Sequence, residues 1–203
     1  MARKYQQRLR AEAAEETRRR ILDALYARLR DTPGQPVSID QVARDARVSR
    51  STVYLIFGSR GGLFDALGAD LLQPAGFQEV VEAVAHPDAR EHLRRGLRAG
   101  AEWFAAHRDV ARALYSMTLL DPEAMGGAVQ RWEENRAGGM EYLAQRLAEQ
   151  DLLRPDVTTK EATDLLWLLA SFDSFDQLYT GRDLPVDDVA RVLITTAERS
   201  LCR

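Results

Sequence analysis

The chain of 203 residues has one cysteine, three histidines and no long uninterrupted apolar run. A single thiol, Cys202, closes no internal disulfide, which excludes a disulfide-stapled fold and makes a redox role unexpected. Nothing approaches the roughly eighteen apolar residues of a membrane-spanning helix, and no basic stretch leads into an apolar one with a small-residue cleavage site. The expected location is the cytoplasm, with no membrane partner. His86, His92 and His107 lack metal-ligand spacing, and G-x-S-x-G, H-E-x-x-H and dinucleotide fingerprints are missing. The GSRGG stretch, Gly58 to Gly62, has neither the K-[ST] nor the preceding strand of a phosphate-cradling loop. No catalytic centre, metal or cofactor is expected. Sustained two-residue alternation is lacking as well, so strands are not expected.

What is present is helix-forming sequence punctuated by capping residues, glycine and proline, with charge divided along its length. Residues 1–60 carry 13 basic and 7 acidic side chains, a net +6, whereas residues 61–203 carry 15 and 24, a net −9. A basic N-terminal module suits a polyanionic surface that would repel the acidic remainder.

Residues 1–16, with Arg3, Lys4, Arg8 and Arg10 but no apolar stripe, are expected to form a frayed basic arm. A helix from about Thr17 to Asp31 buries Ile21, Leu22, Leu25, Tyr26 and Leu29, ahead of the Thr32-Pro33-Gly34 break. A second opens at Ser38, where Gln41 completes an S-x-x-Q capping box, and buries Ile39, Val42, Ala43 and Ala46. Ser49 caps a third, running to about Phe57, with Val53 and Phe57 inward, Ser51 and Leu55 outward, and Arg50, Thr52 and Tyr54 on the flanks. Two short helices, a tight turn, and hydroxyl, tyrosine and arginine side chains on the second make the pattern of a DNA-reading helix-turn-helix.

The stretch from Thr17 to Leu67, and especially VSIDQVARDARVSRSTVYLIFGSRGGLFDAL, resembles the tetracycline-repressor (TetR) family of bacterial transcription regulators. The resemblance implies that Arg50, Ser51 and Thr52 face the major groove, with Arg50 in bidentate reach of a guanine. It implies that Ser38, Tyr54 and Arg60 meet phosphates. It also implies a homodimer formed by the last two helices as a four-helix bundle. Three residues depart from the family pattern. Arg47 replaces the turn glycine, where a positive φ would cost roughly 1 kcal/mol. Ile56 replaces a histidine, and Arg60 a lysine.

Beyond about residue 75 the likeness is one of helical layout only. A fourth helix after Ser59, carrying Leu63, Phe64, Leu67 and Leu71, is expected to couple a DNA-binding domain, 1–73, to a helical effector-binding and dimerisation domain, 74–203. In the latter, 74–87 reads as a short helix or loop. Helices are expected over 88–107, around Val110 to Met117, from Asp121-Pro122 to about Gln150, from the Thr158/Glu161 capping box through Asp176, and over 186–201. The reading is all-α with about nine helices. Gly96 and Gly100 permit close approach of a helix or ligand. Trp103, Phe104, Tyr115, Met117, Met125, Trp132, Met140, Trp167, Phe172 and Phe175 suit an apolar or aromatic effector, and Asp173 and Asp176 a ligand cation or an arginine. The function expected is a dimeric regulator, a repressor, that binds a pseudo-palindromic operator and is released by a small molecule. A helical protein-binding adaptor and an all-α small-molecule enzyme are the alternatives.

Overall fold

Ala, Arg, Glu, Gln and Leu dominate the first thirty-one residues, and a single helix takes up nearly all of them. The computed structural model describes residues 2–32, 34–120 and 127–203, with side chains excepted at 2–5 and 74–76, and its first helix, α1, spans Ala2–Asp31. The expected frayed arm is therefore helical. No glycine or proline interrupts the span, and Arg8 pairs with Glu12 one turn on at 3.2 Å. Thr17 does not cap; its hydroxyl donates to the Ala13 carbonyl at 2.8 Å. A capping residue begins a helix only where the residues before it cannot continue one. The side chains of Arg3 and Lys4 lie outside the described residues.

The other helices are α2 Ile39–Asp45, α3 Arg50–Phe57, α4 Arg60–Leu71, α5 Pro74–Ala85, α6 Ala89–Ala106, α7 Arg108–Leu120, α8 Ala128–Glu149, α9 Thr159–Leu169, α10 Phe172–Tyr179 and α11 Val186–Leu201. Among the described residues there is no strand, only an isolated antiparallel bridge between Leu153 and Cys202. The fold is all-α, with somewhat more helices than the expected nine. Residues 74–85 are helical, with Pro74 in the first turn, where its missing N–H costs nothing. The helix expected from Thr158 through Asp176 is two helices: Ala170 ends α9 and Ser171 caps α10, its Oγ accepting from the Ser174 N–H at 3.1 Å. The expected Asp121-Pro122 helix start, Pro33 of the first break, and Met125 lie outside the described residues.

The chain divides into two compact units, one of residues 1–70 and 109–129, the other of 71–108 and 130–203. Within the first, Ile21, Leu22, Leu25 and Leu29 from α1, Val42 and Ala43 from α2, Val53 from α3 and Leu63, Phe64 and Leu67 from α4 are all buried. Each large side chain of that set contributes roughly 1.5–3 kcal/mol of burial, which fixes α2 and α3 against α1. Within the second, Leu93, Leu97, Leu143, Leu147, Leu166 and Leu201 build one cluster from α6, α8, α9 and α11. Asp88 caps α6 by accepting from Arg90 and Glu91 N–H groups at 2.7 and 3.3 Å, and these bonds hold its carboxyl below the usual range.

Candidate nucleic-acid interface

Ser38 and Gln41 form the expected capping box: the Gln41 N–H donates to Ser38 Oγ at 3.3 Å, and the Ser38 N–H to Gln41 Oε1 at 3.1 Å. At the other end of α2, Arg47 adopts φ 55°, the left-handed conformation glycine would take without strain. Val48 N–H donates to the Ala43 carbonyl at 2.9 Å and Arg47 N–H to that of Arg44 at 3.1 Å. This is a Schellman ending, with arginine at the left-handed position. Its side chain is exposed, so the cost is confined to backbone sterics, roughly 1 kcal/mol.

Two residues later Ser49 caps α3. Its Oγ accepts the Thr52 N–H at 3.1 Å and lies 2.7 Å from Ser51 Oγ and 2.8 Å from Thr52 Oγ1, so three hydroxyls gather at the start of the helix. Val53 is buried and Phe57 half-buried; together they set which side of α3 faces out. Gly58, at φ 75°, ends the helix, and Gly62 lets α4 begin close by, since a Cβ there would clash with the Phe57 carbonyl oxygen. Arg60 lies over the Phe64 ring, 5.5 Å from its centroid.

The six residues expected to meet DNA fall into three groups. Ser51 and Thr52 share the Ser49 hydroxyl. Arg50 and Tyr54 are joined: the guanidinium lies 5.5 Å from the ring centroid and donates to the phenol oxygen at 3.4 Å. Ser38 and Arg60 stand at the starts of α2 and α4. A residue that sequence reasoning missed is Asp40, which accepts from Arg50 at 3.1 and 3.2 Å. The Tyr54 hydroxyl and then Asp40 hold the Arg50 pKa above its ordinary value. Both side chains of the pair are at least half exposed, so solvent screens it and it opens readily. The available signal was an opposite charge in the first turn of α2.

The residues expected to bind an effector are distributed differently. Tyr115 and Met117, both half-buried, belong to the first unit and the other described ones to the second. There Trp103 is a hub, with ring centroids of Phe104 and Trp132 each 5.4 Å away and Phe77 at 6.0 Å; its indole N–H donates to the Leu71 carbonyl at 3.3 Å. Phe104 continues to Phe172 at 5.4 Å and Phe175 at 5.6 Å. These aromatics fill space with one another. Met140 packs against the core cluster, Trp167 is exposed under the Arg136 guanidinium, 4.6 Å from its centroid, and Asp173 is exposed. Asp176 accepts from Arg108 at 3.2 Å and from the Thr180 hydroxyl at 2.6 Å. A narrow cleft lined by Gly96, Gly100, Phe104, Leu169, Phe175 and Leu193 holds about 30 Å³, far below the roughly 300–1,000 Å³ of common ligand pockets.

His92 is buried on α6, with Arg146 Nη1 3.1 Å from its Nδ1; burial first, then that guanidinium, pushes it down to about 4. Burial also lowers His107.

No family model matches the chain. Over 101 residues it is 31% identical to the HTH-type transcriptional regulator EthR of Mycolicibacterium smegmatis, a match covering 47% of this chain and 46% of that protein. The chain thus matches just under half the length of that curated relative. Its fold is similar to that of NalD of Pseudomonas aeruginosa, the secondary repressor of the MexAB-OprM multidrug efflux pump, with a TM-score of 0.73 and 24% identity over 95% of this chain and 98% of that one. It is also similar to a TetR-like transcriptional regulator from Rhodococcus sp. RHA1, with a TM-score of 0.65 and 24% identity over 90% and 94% of the two chains. The chain is thus similar in fold to a TetR-like regulator along almost its whole length, and in sequence to an HTH-type transcriptional regulator over about half of it.

Proposed function

We propose that this chain is a TetR-like transcriptional regulator, a repressor, that binds a pseudo-palindromic operator as a homodimer and leaves it when a small-molecule effector binds. The observation that carries the reading is α3. It is a serine-capped helix anchored by Val53, and it turns Arg50, Ser51, Thr52 and Tyr54 outward from the basic end of the chain. Residues 1–73 act as the DNA-binding domain, and 74–203 as the effector-binding and dimerisation domain. Ser38, Tyr54 and Arg60 hold phosphates and set register; the exposed face of α3 reads bases.

Exposed apolar side chains on the last helices support dimerisation through them, Trp167 and Leu168 on α9 at 44% and 54% and Val192 on α11 at 36%. An apolar or aromatic effector suits the aromatic set around Trp103 and Phe104, provided that it opens the small cleft beside Gly96 and Gly100. A coupling of about 1–3 kcal/mol between effector and DNA suffices to change occupancy five- to 150-fold. No helix among the described residues is long and apolar enough to cross a membrane, and a DNA ligand places the protein in the cytoplasm.

Selection of bound duplexes from random DNA at two salt concentrations tests the reading. An enriched palindrome is expected, with half-sites about one helical turn apart. Arg60→Ala should weaken all bound sequences alike and make the slope of log affinity against log salt shallower by about one. A protein that stays monomeric and retains no duplex sinks the proposal in favour of a helical adaptor.

A further inference from the structure

Leu55 lies in the middle of α3 and is 86% exposed. It stands one turn after Ser51 on the same outward face, while Val53 carries the burial that holds the helix. A leucine in that place adds nothing to the core. The polar groups around it are engaged within the protein. Ser51 Oγ rests on Ser49 Oγ at 2.7 Å, and Arg50 is held by Asp40 at 3.1 Å and by the Tyr54 hydroxyl at 3.4 Å. The centre of the outward face is therefore apolar and its hydrogen-bonding groups lie at the rim. A major groove offers one apolar feature that distinguishes base pairs, the 5-methyl group of thymine. The net charge of +6 over residues 1–60 makes DNA, rather than an apolar protein surface, the occupant that fits.

We propose that Leu55 is a specificity-determining residue that packs on a thymine 5-methyl group in each half-site. The assignment rests on the DNA-binding reading above.

Duplexes enriched by the full-length protein are resynthesised with single thymines replaced by uracil, which deletes the methyl group and leaves every hydrogen-bonding edge intact. One thymine per half-site is expected at which uracil weakens binding about fourfold, the effect of burying one methyl-sized group. Leu55→Ala should weaken the thymine duplex at least as much and abolish the difference between thymine and uracil there. Because Leu55 is exposed, the variant should keep the helical circular dichroism of the parent. Binding indifferent to uracil at every position overturns the assignment while leaving DNA binding intact. A uracil penalty that persists in Leu55→Ala does the same. Failure to bind any duplex overturns the DNA-binding reading, and this assignment falls with it.

Discussion

Two of the joints at which a short helix stops and a serine starts the next, α2 to α3 and α9 to α10, invite comparison. The caps are nearly superposable: Ser49 has φ −77° and ψ 154°, Ser171 φ −78° and ψ 154°. Each accepts the N–H three residues on, from Thr52 and from Ser174, at 3.1 Å. Their surroundings differ. In the first joint a left-handed Arg47 turns the chain, and the hydroxyls of Ser51 and Thr52 stay outside the core. In the second, Ser171 and Ser174 both donate back to the Leu168 carbonyl, at 2.8 and 2.7 Å, closing the helix they follow. The same local chemistry presents a surface in one place and seals a helix end in the other, and what decides is whether the residues around the cap are polar or apolar.

The largest difference between the joints should come from their anchors. Phe175→Ala removes a ring that is 1% exposed and should lower the unfolding free energy by about 3–5 kcal/mol, whereas Val53→Ala should cost about 2 kcal/mol. Urea denaturation of both variants measures this, and only Val53→Ala should also impair DNA binding in the folded protein. Equal losses of DNA affinity would mean that the joints are not independent.

Acid separates the units next. His92 has a pKa near 4 in the fold against 6.5 when free, so its neutral ring contributes stability above pH 6.5. As pH falls from 6.5 towards 4 the unfolded chain takes up a proton that the folded one refuses, and that contribution is lost, at most about 2 kcal/mol after allowance for solvent screening. The unit holding α9 and α10 should melt at lower temperature at pH 5 than at pH 7, and His92→Gln should flatten the change; a slope unaltered by the substitution would assign the acid sensitivity elsewhere.

Smaller still are the caps themselves. Ser49→Ala and Ser171→Ala should each cost about 1 kcal/mol of stability. In a filter-binding titration the first should weaken DNA binding beyond that, since Ser51 and Thr52 lose their common partner, and the second should not. The smallest effect has the opposite sign. Arg47→Gly should stabilise by at most about 0.5 kcal/mol, because the strained conformation is then free while the extra freedom of the unfolded chain takes much of the gain back. Thermal unfolding reads this directly.

The visibility of the two joints in the sequence follows the same logic. Ser38 with Gln41, Ser49, and Thr158 with Glu161 were legible because each cap stands where an apolar stripe begins or a breaker precedes it. Ser171 was not, because Leu165 to Ala170 and Phe172 are apolar on both sides of it and give no change of pattern. Thr17 failed the other way: a good capping residue within a run of helix formers caps nothing. For the candidate site, hydroxyl and tyrosine positions follow from spacing, whereas the Arg50–Asp40 pair depends on how α2 and α3 cross. The aromatic residues of the second unit were legible as a group, but not that they would fill the space among themselves, which depends on rotamers that no spacing encodes.

Gly62 has a consequence for anyone who screens this protein by substitution. Its hydrogen faces the Phe57 carbonyl oxygen so closely that no side chain fits. A selection for operator binding would score position 62 as intolerant as the bases' own readers, although it need touch no nucleotide. An assay of folding beside the assay of binding sorts the two: readers lose only binding, while position 62 loses both, so intolerance at this joint is a map of backbone clearance before it is a map of contact with DNA.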